Sequence, residues 1–379
     1  MCVVQRFARL TGAAPSALIF LLLLGAALLA APVFGRAAPE PSLEAMAGEM
    51  IVAGFRGFEL GPDDAITRAL AQGKAGGIIL FSRDVNLGAP RNISSPEQVK
   101  RLIVQARAAA PGPIFVAVDQ EGGKVQRLGA ANGFTAWPSA RSMGRGTPED
   151  TYSLASSMAA QLAGAGFDLN FAPVVDLDFP GSPAIGGLER SFSSEPAQVT
   201  AHARAFIQGM AAHNITAALK HFPGHGSAGG DTHDGFVDIS RTWTPLELEP
   251  YKTLLNEDFS GMVMVAHVTL KSYGDLPADL NPAIINGLLR HDLGWQGVVV
   301  TDDLQMKAIA SHYSLEETVL LAVQAGADLL VFGNNTGRHD PDIAAKAHAA
   351  LMAHVHAGRI SSERIRESWL RIQKVKAAR

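Results

Sequence analysis

One pattern runs through almost the whole chain: a short, nearly continuous apolar run is followed by a segment with helical periodicity. Because these runs lack the alternation of a half-exposed strand, we interpret them as strands covered on both faces, as in parallel sheets. The predicted strands are Ile51–Ala53, Ala75–Phe81, Ile114–Val118, Asp168–Val174, Ile215–Leu219, Gly261–Ala266, Gly297–Thr301 and Asp328–Phe332. This repetition favours an α/β fold, a single (β/α)8 TIM-type barrel, over a doubly wound sheet.

Helices are predicted between and after these strands. Ser95 and Pro96 are typical of a helix start, with serine as the N-cap and proline at the first helical position. The predicted helices are Ser42–Met50, Ser95–Ala109, Pro148–Ala165, Pro196–His213, Pro245–Asn256, Asn281–Leu293, Leu315–Ala325, Pro341–His356 and Ser361–Lys376. Because no low-complexity linker interrupts the pattern, we expect residues 39–379 to form one domain.

The first 38 residues have the composition of an export signal. Arg6 and Arg9 precede an apolar run from Ala17 to Ala31, and Pro32 and several small residues follow it. We interpret residues 1–38 as a signal peptide or a membrane anchor, because the run is near the length that spans a bilayer. The protein is therefore expected to be exported, either periplasmic or secreted, with membrane contact only through this segment if it is retained.

Charge and cysteine content exclude several classes of protein. The formal net charge is −4 and no long basic block is present, so nothing indicates a nucleic-acid partner. The single cysteine is Cys2, inside the predicted signal. The mature chain is therefore expected to have no disulfide, no thiol nucleophile and no cysteine metal ligand. Its stability must come from the core, and 47% of the residues are hydrophobic.

One loop holds most of the candidate chemistry. The strand Ile215–Leu219 runs into the segment Lys220–His233, which contains four glycines, a proline and three histidines. The active site of a barrel lies at the carboxyl ends of its strands, so this loop is expected to face it. Asp231 and His233 are separated by one residue, which allows the carboxylate to orient the imidazole and raise its proton affinity.

Polar residues also follow other predicted strands, and each has a structural alternative. We interpret Asp119 as a ligand contact, with helix capping as the alternative. Glu121 either orients Arg127 or contacts the ligand. Because a buried, unpaired lysine is costly, Lys220 is expected to pair with an aspartate or to bind a ligand oxygen.

The remaining polar residues near strand ends have weaker local signals. Asp176 and Asp178 precede a Pro-Gly pair and are interpreted as turn formers. His225 is expected to pack against its own loop, and His267 is equally consistent with a pocket wall and with a core position. Arg190 has the local sequence of a surface arginine.

Two adjacent aspartates end the strand Gly297–Thr301. Neighbouring side chains of an extended chain point to opposite sides. We therefore expect one of Asp302 and Asp303 to face the pocket and the other to brace the following helix. A carboxylate in the pocket is suited to act as a nucleophile or base, and a histidine supported by Asp231 can act as a general acid.

Several segments, in order along the mature chain, are similar to one known family. They are Val118–Arg127, Glu189–Phe192, Lys220–Gly226 (Lys-His-Phe-Pro-Gly-His-Gly), Asp231–His233, Ala266–Val268 and Thr301–Leu304. With these motifs the chain resembles glycoside hydrolase family 3, in its β-N-acetylglucosaminidase branch. The Lys-His-Phe-Pro-Gly-His-Gly motif with its downstream Asp-x-His is highly specific, and the other segments corroborate it.

The resemblance implies a TIM-barrel catalytic domain that removes terminal, non-reducing β-linked N-acetylglucosamine with retention through a covalent glycosyl-enzyme intermediate. It implies that Asp302 is the nucleophile and His233 the acid/base, with Asp231 completing a dyad. By the same resemblance, the sugar hydroxyls are bound by Asp119, Arg127, Arg190, Lys220 and His221. In this branch a histidine is the acid/base, whereas most glycosidases use a pair of carboxylates.

The resemblance also implies a small oligosaccharide or muropeptide substrate, from cell-wall peptidoglycan or chitin, and no cofactor or metal. Two features depart from the family pattern. The dyad is Asp-Thr-His where Asp-Ser-His is more usual, but threonine keeps the hydroxyl. The predicted export signal is the second departure, since many relatives are cytosolic.

Three alternative functions stay open from the sequence. His221, His225, Asp231 and His233 could hold a metal ion, although the glycines and proline between them favour a loop over a ligand-bearing helix and no H-E-x-x-H motif occurs. The same fold could catalyse phosphorolysis, because a histidine repels phosphate less than a carboxylate does. The third alternative is a non-catalytic sugar-binding protein of the cell envelope.

Overall fold

The computed structural model describes residues 40–257 and 259–378. In this part of the chain, eight parallel strands close into a barrel in sequence order, and the first pairs with the last. The strands are β1 Ile51–Gly54, β2 Gly77–Ile79, β3 Phe115–Val118, β4 Leu169–Asn170, β5 Thr216–Phe222, β6 Met262–Val265, β7 Val298–Asp303 and β8 Leu329–Phe332. The predicted (β/α)8 barrel is confirmed, whereas the predicted signal segment, residues 1–38, lies outside the described residues.

The helices cover the outside of the barrel. They are α1 Leu43–Glu49, α2 Ala65–Ala71, α3 Pro96–Ala109, α4 Pro148–Ala165, α5 Pro196–Ala211, α6 Glu249–Leu255, α7 Ala283–Asp292, α8 Leu315–Ala325, α9 Ile343–His356 and α10 Ser362–Ala377. The predicted start of α3 is confirmed, because Ser95 Oγ accepts a hydrogen bond from the amide of Gln98 at 3.2 Å. Helix α2 is absent from the predicted set, and α7 has π-helical hydrogen bonding.

Every residue of β1, β2, β3 and β6 is buried. Side chains on one face fill the barrel and those on the other pack against helices, which explains why the sequence of these strands does not alternate. The predicted strand Asp168–Val174 is shorter in the structure. Pro173 has no amide hydrogen to continue the ladder, and only an isolated bridge from Val174 to Lys220 follows.

Short paired segments shape the loops at the carboxyl ends of the strands. Arg83–Asp84 pairs with Ala89–Pro90, Gln120–Gly122 with Val125–Gln126, and Val237–Asp238 with Val268–Thr269. Short helical segments are Ala130–Asn132, Ala140–Met143, Gly186–Leu188, Pro245–Leu248, Lys271–Tyr273, Ala278–Leu280 and Lys307–Ala310. Across residues 40–257 and 259–378, no helix combines the length and apolarity needed to cross a membrane.

At the opposite end of the barrel, one buried carboxylate connects three elements. Asp328 precedes β8 and lies 2.7 Å from Arg290 of α7 and 3.0 and 3.1 Å from Arg364 and Arg371 of α10. Ser368 Oγ also donates a hydrogen bond to it at 2.8 Å. Burial opposes ionisation of Asp328, but the three guanidinium groups outweigh this and hold the pKa of the carboxyl below its usual value.

Replacement of Asp328 by alanine is expected to lower the free energy of unfolding by about 3–5 kcal/mol, because it leaves partly buried arginines without their counter-ion. Urea unfolding followed by circular dichroism measures this loss. The matched control is Asp292→Ala, which removes an exposed aspartate paired with His291 and should change stability by less than about 0.5 kcal/mol. Equal effects of the two substitutions would contradict this role for Asp328.

Candidate active site

The predicted site residues meet at the carboxyl ends of the strands, around one opening. The structure brings together all of them: Asp119, Arg127, Arg190, Lys220, His221, Asp231, His233 and Asp302. They come from the loops after β3, β4 and β5, from the end of β5 itself and from the end of β7. Asp119 and Asp302, the most distant pair, are 183 residues apart in the chain. The barrel closure therefore creates the site, as expected for this fold.

The opening has two parts, which we call the charged lobe and the apolar lobe. The charged lobe, of about 350 Å³, is lined by polar side chains that include Arg190, Lys220, His221 and Asp231. The apolar lobe, of about 300 Å³, has the apolar side chains of Ile79, Phe81, Phe171, Met264, Met306 and Val331 in its lining, together with polar and charged residues that include Asp303 and Asn335. Asp119, Arg127, His233 and Asp302 line both, so the two lobes meet at these four residues.

An irregularity in strand pairing directs two neighbouring side chains into the charged lobe. Leu219 of β5 pairs with Val263 of β6, but Phe222 pairs with Val265, so Lys220 and His221 both lie opposite one residue. Regular alternation would send these two side chains to opposite faces of the barrel wall. The extra residue, of the kind found in β-bulges, allows both to line the lobe. The peptide bond between them is cis.

A second irregularity lies at the adjacent aspartates. Val300 of β7 pairs with Leu329 of β8, whereas Asp303 pairs with Val331. Asp302 lines both lobes. Asp303 Oδ1 accepts hydrogen bonds from the amides of Gly333 at 2.8 Å and Gln305 at 3.1 Å, so it braces the turn before the short helix that follows. The bracing bonds of Asp303 agree with the predicted division, but Asp303 also lines the apolar lobe, so both aspartates border the opening.

Asp302 is ionised although it is half-buried. Burial alone would raise its pKa, but the nearby His267, His221 and His233 outweigh burial and lower the pKa of Asp302 to about 2. His267 is fully buried, with Nδ1 2.9 Å from Asp279 and Nε2 donating to the carbonyl of Asp303 at 2.8 Å. Burial disfavours its charge, but Asp279 raises the pKa of His267 to about 9. His267 is therefore a cationic core residue beneath the site.

Asp231 and His233 form the hydrogen-bonded pair predicted from their spacing. His233 Nδ1–H donates to Asp231 Oδ1 at 2.8 Å, and the His233 amide donates to the same oxygen at 2.9 Å. The bond from Asp231 raises the pKa of His233 against the effect of partial desolvation, and Asp302 adds to the rise. The His233 side chain is 58% exposed, so its other nitrogen, Nε2, is accessible to a ligand in the opening.

A chain of ion pairs forms the floor of the charged lobe. Lys220 Nζ lies 2.6 Å from Glu121 and 3.0 Å from Asp119, as expected for a buried lysine. Arg190 donates two hydrogen bonds to Glu121, at 2.9 and 2.8 Å, and Arg127 donates one to Asp119 at 3.2 Å. Burial would raise the pKa of Glu121, but Arg190 and Lys220 lower it to about 2.

Two predictions from local sequence are wrong here. Arg190 is not a surface residue: its side chain is 11% exposed and is held by Glu121, which lies 69 residues away in the chain. Glu121 consequently orients Arg190 and not Arg127. The local sequence around Arg190 contains no signal for this contact, because the partner belongs to another strand.

Asp176 and Asp178 are also not simple turn formers. Asp176 is buried and accepts hydrogen bonds from His221 Nδ1 at 2.7 Å and from the amide of His225 at 2.8 Å. Asp178 accepts hydrogen bonds from Arg141 at 2.6 and 3.1 Å. His225 packs against the His221 ring with centroids 5.7 Å apart, as predicted, and burial lowers its pKa to about 4, so it is neutral.

Glu247 is a functional candidate that the sequence did not indicate. It lies in the turn Pro245–Leu248 and is fully buried. Its carboxylate accepts hydrogen bonds from the amide of Gly226 at 2.9 Å and from Ser227 Oγ at 2.5 Å. Gly224 has a φ of 124°, and a Cβ there would lie 2.6 Å from the Glu247 Cβ, so glycine is needed for this approach. Burial raises the pKa of Glu247 to about 7.

Within the described ranges, no group of three or more histidine, cysteine, aspartate or glutamate side chains is arranged to hold a metal ion. Of the residues considered for a metal site, His221 and His233 each bond an aspartate through Nδ1. The arrangement instead combines an ionised aspartate, an aspartate-supported histidine and a polar lobe. This combination suits attack by a carboxylate on a carbon whose leaving group is protonated by histidine.

Comparison with known proteins places this arrangement in context. The Glycosyl hydrolase family 3 N terminal domain matches residues 42–375. The chain is similar to a Beta-hexosaminidase of Nitrosomonas eutropha, with 36% identity over 279 residues that cover 71% of this chain and 75% of the relative.

Among solved structures, the chain is similar to a family 3 beta-N-acetylglucosaminidase from a Paenibacillus species, with a TM-score of 0.81 and 34% identity. The match covers 89% of this chain and 63% of the Paenibacillus chain. A Beta-N-acetylhexosaminidase from Beutenbergia cavernae is similar with a TM-score of 0.80 and 28% identity, covering 90% of this chain and 100% of that one.

Replacement of Glu247 by alanine is expected to speed hydrogen exchange of the amides at Gly226 and Ser227 by about tenfold or more, because a buried N–H loses its acceptor. Hydrogen–deuterium exchange followed by mass spectrometry measures the peptide that contains them. Glu249→Ala is the matched control, since Glu249 is two residues away and forms a partly exposed pair with Lys252. Unchanged exchange in Glu247→Ala would show that the loop is held by other contacts.

Proposed function

This chain belongs to glycosyl hydrolase family 3, and we propose that it is a retaining exo-β-N-acetylglucosaminidase. The proposed reaction removes terminal, non-reducing N-acetyl-β-D-hexosamine residues from short oligosaccharides. The observation that carries the proposal is that ionised Asp302 and the Asp231–His233 pair line the same opening. The names of the similar proteins, Beta-hexosaminidase and beta-N-acetylglucosaminidase, support the choice of sugar.

In the first proposed step, a carboxylate oxygen of Asp302 attacks the anomeric carbon, and the bond from that carbon to the leaving oxygen breaks. His233 donates the proton on Nε2 to the leaving oxygen, which departs as an alcohol. The lowered pKa of Asp302, about 2, keeps the nucleophile ionised at neutral pH. The raised pKa of His233 keeps a larger fraction of the acid protonated there.

In the second step, neutral His233 takes a proton from water, and the water oxygen attacks the anomeric carbon. The glycosyl–Asp302 bond breaks and the sugar leaves with its original anomeric configuration, because two inversions have occurred. Asp231 stays hydrogen-bonded to Nδ1 and stabilises the imidazolium whenever it forms. Histidine can serve as acid and then as base because its ordinary pKa is close to neutral.

The charged lobe is proposed to bind the hydroxyl groups of the sugar through Asp119, Arg127, Arg190, Lys220 and His221. Their mutual ion pairs hold these side chains in place before the substrate arrives, which lowers the entropy cost of binding. His221 Nδ1–H donates to Asp176, so Nε2 accepts the hydrogen bond from Arg190 at 3.2 Å. These two bonds hold the His221 ring in one orientation beside the sugar.

We further propose that the natural substrates are muropeptide fragments of peptidoglycan or chitin oligosaccharides, and that the enzyme acts outside the cytoplasm. The support for export is the sequence of residues 1–38, in which Arg6 and Arg9 precede an apolar run. Cleavage of this segment leaves a secreted or periplasmic enzyme, and retention leaves an anchored one. Mass spectrometry of the amino terminus of the exported protein distinguishes the two.

The roles of Asp302 and His233 predict different losses on different leaving groups. Asp302→Ala should lower kcat/KM at least about 10⁴-fold on every N-acetyl-β-glucosaminide, because the nucleophile is absent. His233→Ala should lower it about 10²–10⁴-fold on diacetylchitobiose but far less on the 2,4-dinitrophenyl glycoside, whose leaving group needs no proton. Release of sugar or phenol measures both.

The control variant is His291→Ala, which changes an exposed histidine on α7 and should leave all rates unchanged. A 5-fluoro N-acetylglucosaminyl fluoride should label the peptide that contains Asp302, and failure to label active enzyme would count against the covalent intermediate. A requirement for inorganic phosphate would indicate phosphorolysis, and loss of activity in EDTA would indicate a metal. No turnover of any glycoside would favour a binding protein.

The hydrogen bond between Asp231 and His233 predicts a pH effect. Asp231→Asn removes the carboxylate that raises the pKa of His233, so the acid loses its proton at lower pH. The alkaline limb of kcat/KM against pH on diacetylchitobiose should therefore move to lower pH. The acid limb of kcat/KM against pH, measured with the 2,4-dinitrophenyl glycoside, provides an internal reference. If the alkaline limb does not move, it reflects the titration of a group other than His233.

A further inference from the structure

The carboxylate of Asp302 is held through one of its two oxygens. Asp302 Oδ1 accepts a hydrogen bond from the amide of Asp303 at 2.8 Å. Among the described residues, no hydrogen bond reaches the other oxygen, Oδ2. The proposed reaction needs an oxygen of Asp302 to approach the anomeric carbon in a fixed direction, and a carboxylate held through one oxygen presents the other. The orientation of the nucleophile therefore depends on the backbone of Asp303.

That backbone is held in turn by a buried histidine. His267 follows β6 and donates a hydrogen bond from Nε2 to the carbonyl of Asp303 at 2.8 Å. Its other nitrogen, Nδ1, lies 2.9 Å from Asp279, which is in the short helix Ala278–Leu280. The Asp279 amide donates to the carbonyl of Ala266 at 3.2 Å, so this helix is joined to the end of β6. A continuous series of contacts thus runs from Asp279 to Asp303.

Stability alone does not explain the pair formed by His267 and Asp279. Both side chains are 0% exposed. Among the described residues, Asp279 forms an ion pair only with His267, and neither of its oxygens accepts a hydrogen bond from another group. Burial and the charge of Asp279 raise the pKa of the nearby Tyr313, which is therefore neutral and supplies no counter-charge. A buried ion pair is often no more stabilising than apolar side chains of similar volume.

We propose that His267 and Asp279 are positioning residues for Asp302. In this proposal, His267 holds the Asp303 backbone and supplies positive charge beneath the nucleophile, Asp279 keeps His267 protonated, and Asp302 Oδ2 is the oxygen that attacks. Nε2–H of His267 bonds a carbonyl and Nδ1 lies beside a carboxylate, so the surroundings favour a proton on both nitrogens. The inference rests on the proposed function, because it assumes that Asp302 is the nucleophile.

Other titratable groups also face Asp302. His221 of β5 and His233 of the loop after β5 both lower its pKa, but His267 lowers it more than either of them. His221 and His233 are each bonded through Nδ1 to an aspartate of their own. The adjacent Asp303 has a pKa that burial raises. His267 is therefore the principal cation acting on the nucleophile.

Removal of this charge is expected to move the acid limb of kcat/KM against pH. Asp302 must be ionised to attack, and without a cationic His267 its carboxyl is protonated at higher pH. Asp279→Asn has the same effect indirectly, because Asp279 raises the pKa of His267. With the 2,4-dinitrophenyl glycoside, measured from pH 8 to pH 4, the acid limb should move to higher pH in His267→Gln and in Asp279→Asn. The double variant His267→Gln/Asp279→Asn leaves no unpaired buried charge and should show the same shift if a single variant does not fold.

Loss of the hydrogen bond to Asp303 is expected to lower the rate even at pH 8, where Asp302 is ionised. Glutamine at position 267 can still donate to the Asp303 carbonyl, whereas leucine cannot. With Asp279→Asn present in both, kcat/KM at pH 8 should be about tenfold lower for His267→Leu than for His267→Gln, as for one hydrogen bond. Circular dichroism establishes that the variants are folded.

The matched control is His202→Gln. His202 is a buried histidine of α5, lies 2.7 Å from Thr151 and lines neither lobe. Its acid limb should coincide with that of the wild type. Folded variants with the wild-type acid limb, or equal rates at pH 8 for glutamine and leucine at position 267, would overturn this inference alone. A wild-type protein that turns over no glycoside would refute the proposed function as well.

Discussion

A buried lysine constrains the rest of the site. Lys220 is 2% exposed, and its ammonium lies 3.0 Å from Asp119 and 2.6 Å from Glu121. Because a buried charge without a partner is costly, these three side chains are stable only together. Each carboxylate also binds an arginine, Arg127 or Arg190, and the second of these comes from the loop after β4. The interaction that stabilises this end of the barrel therefore also positions the groups proposed to bind the sugar.

Environment, and not residue type, separates the two aspartates at the end of β7. Asp302 is surrounded by His267, His221 and His233, which outweigh burial and lower its pKa to about 2. Asp303 accepts two amide hydrogen bonds, yet burial still raises its pKa. Adjacent carboxylates thus differ in charge preference. Asp302 is free to react, whereas Asp303 is hydrogen-bonded to backbone amides.

The loop after β5 combines a local interaction with distant anchors. The Asp231–His233 bond joins residues two apart and leaves the imidazole largely exposed toward the opening. The earlier part of the loop is held from beneath by the buried carboxylates of Asp176 and Glu247, which come from other loops. The loop is thus anchored in its first part and exposes His233 at its end. This suits a histidine that exchanges protons with both a leaving group and water.

The sequence by itself determined the barrel, because strands buried on both faces are continuously apolar and each is followed by a helix. It also indicated the adjacent Asp302 and Asp303 and the Asp231–His233 pair, since strand position and a spacing of two residues are local properties, and the family resemblance singled out Asp302. Only the tertiary structure decided the roles of Asp176, Glu247 and the buried Arg190, whose partners lie on other strands and loops. Local sequence carries no information on such contacts, because closure of the barrel alone brings these charges within bonding distance.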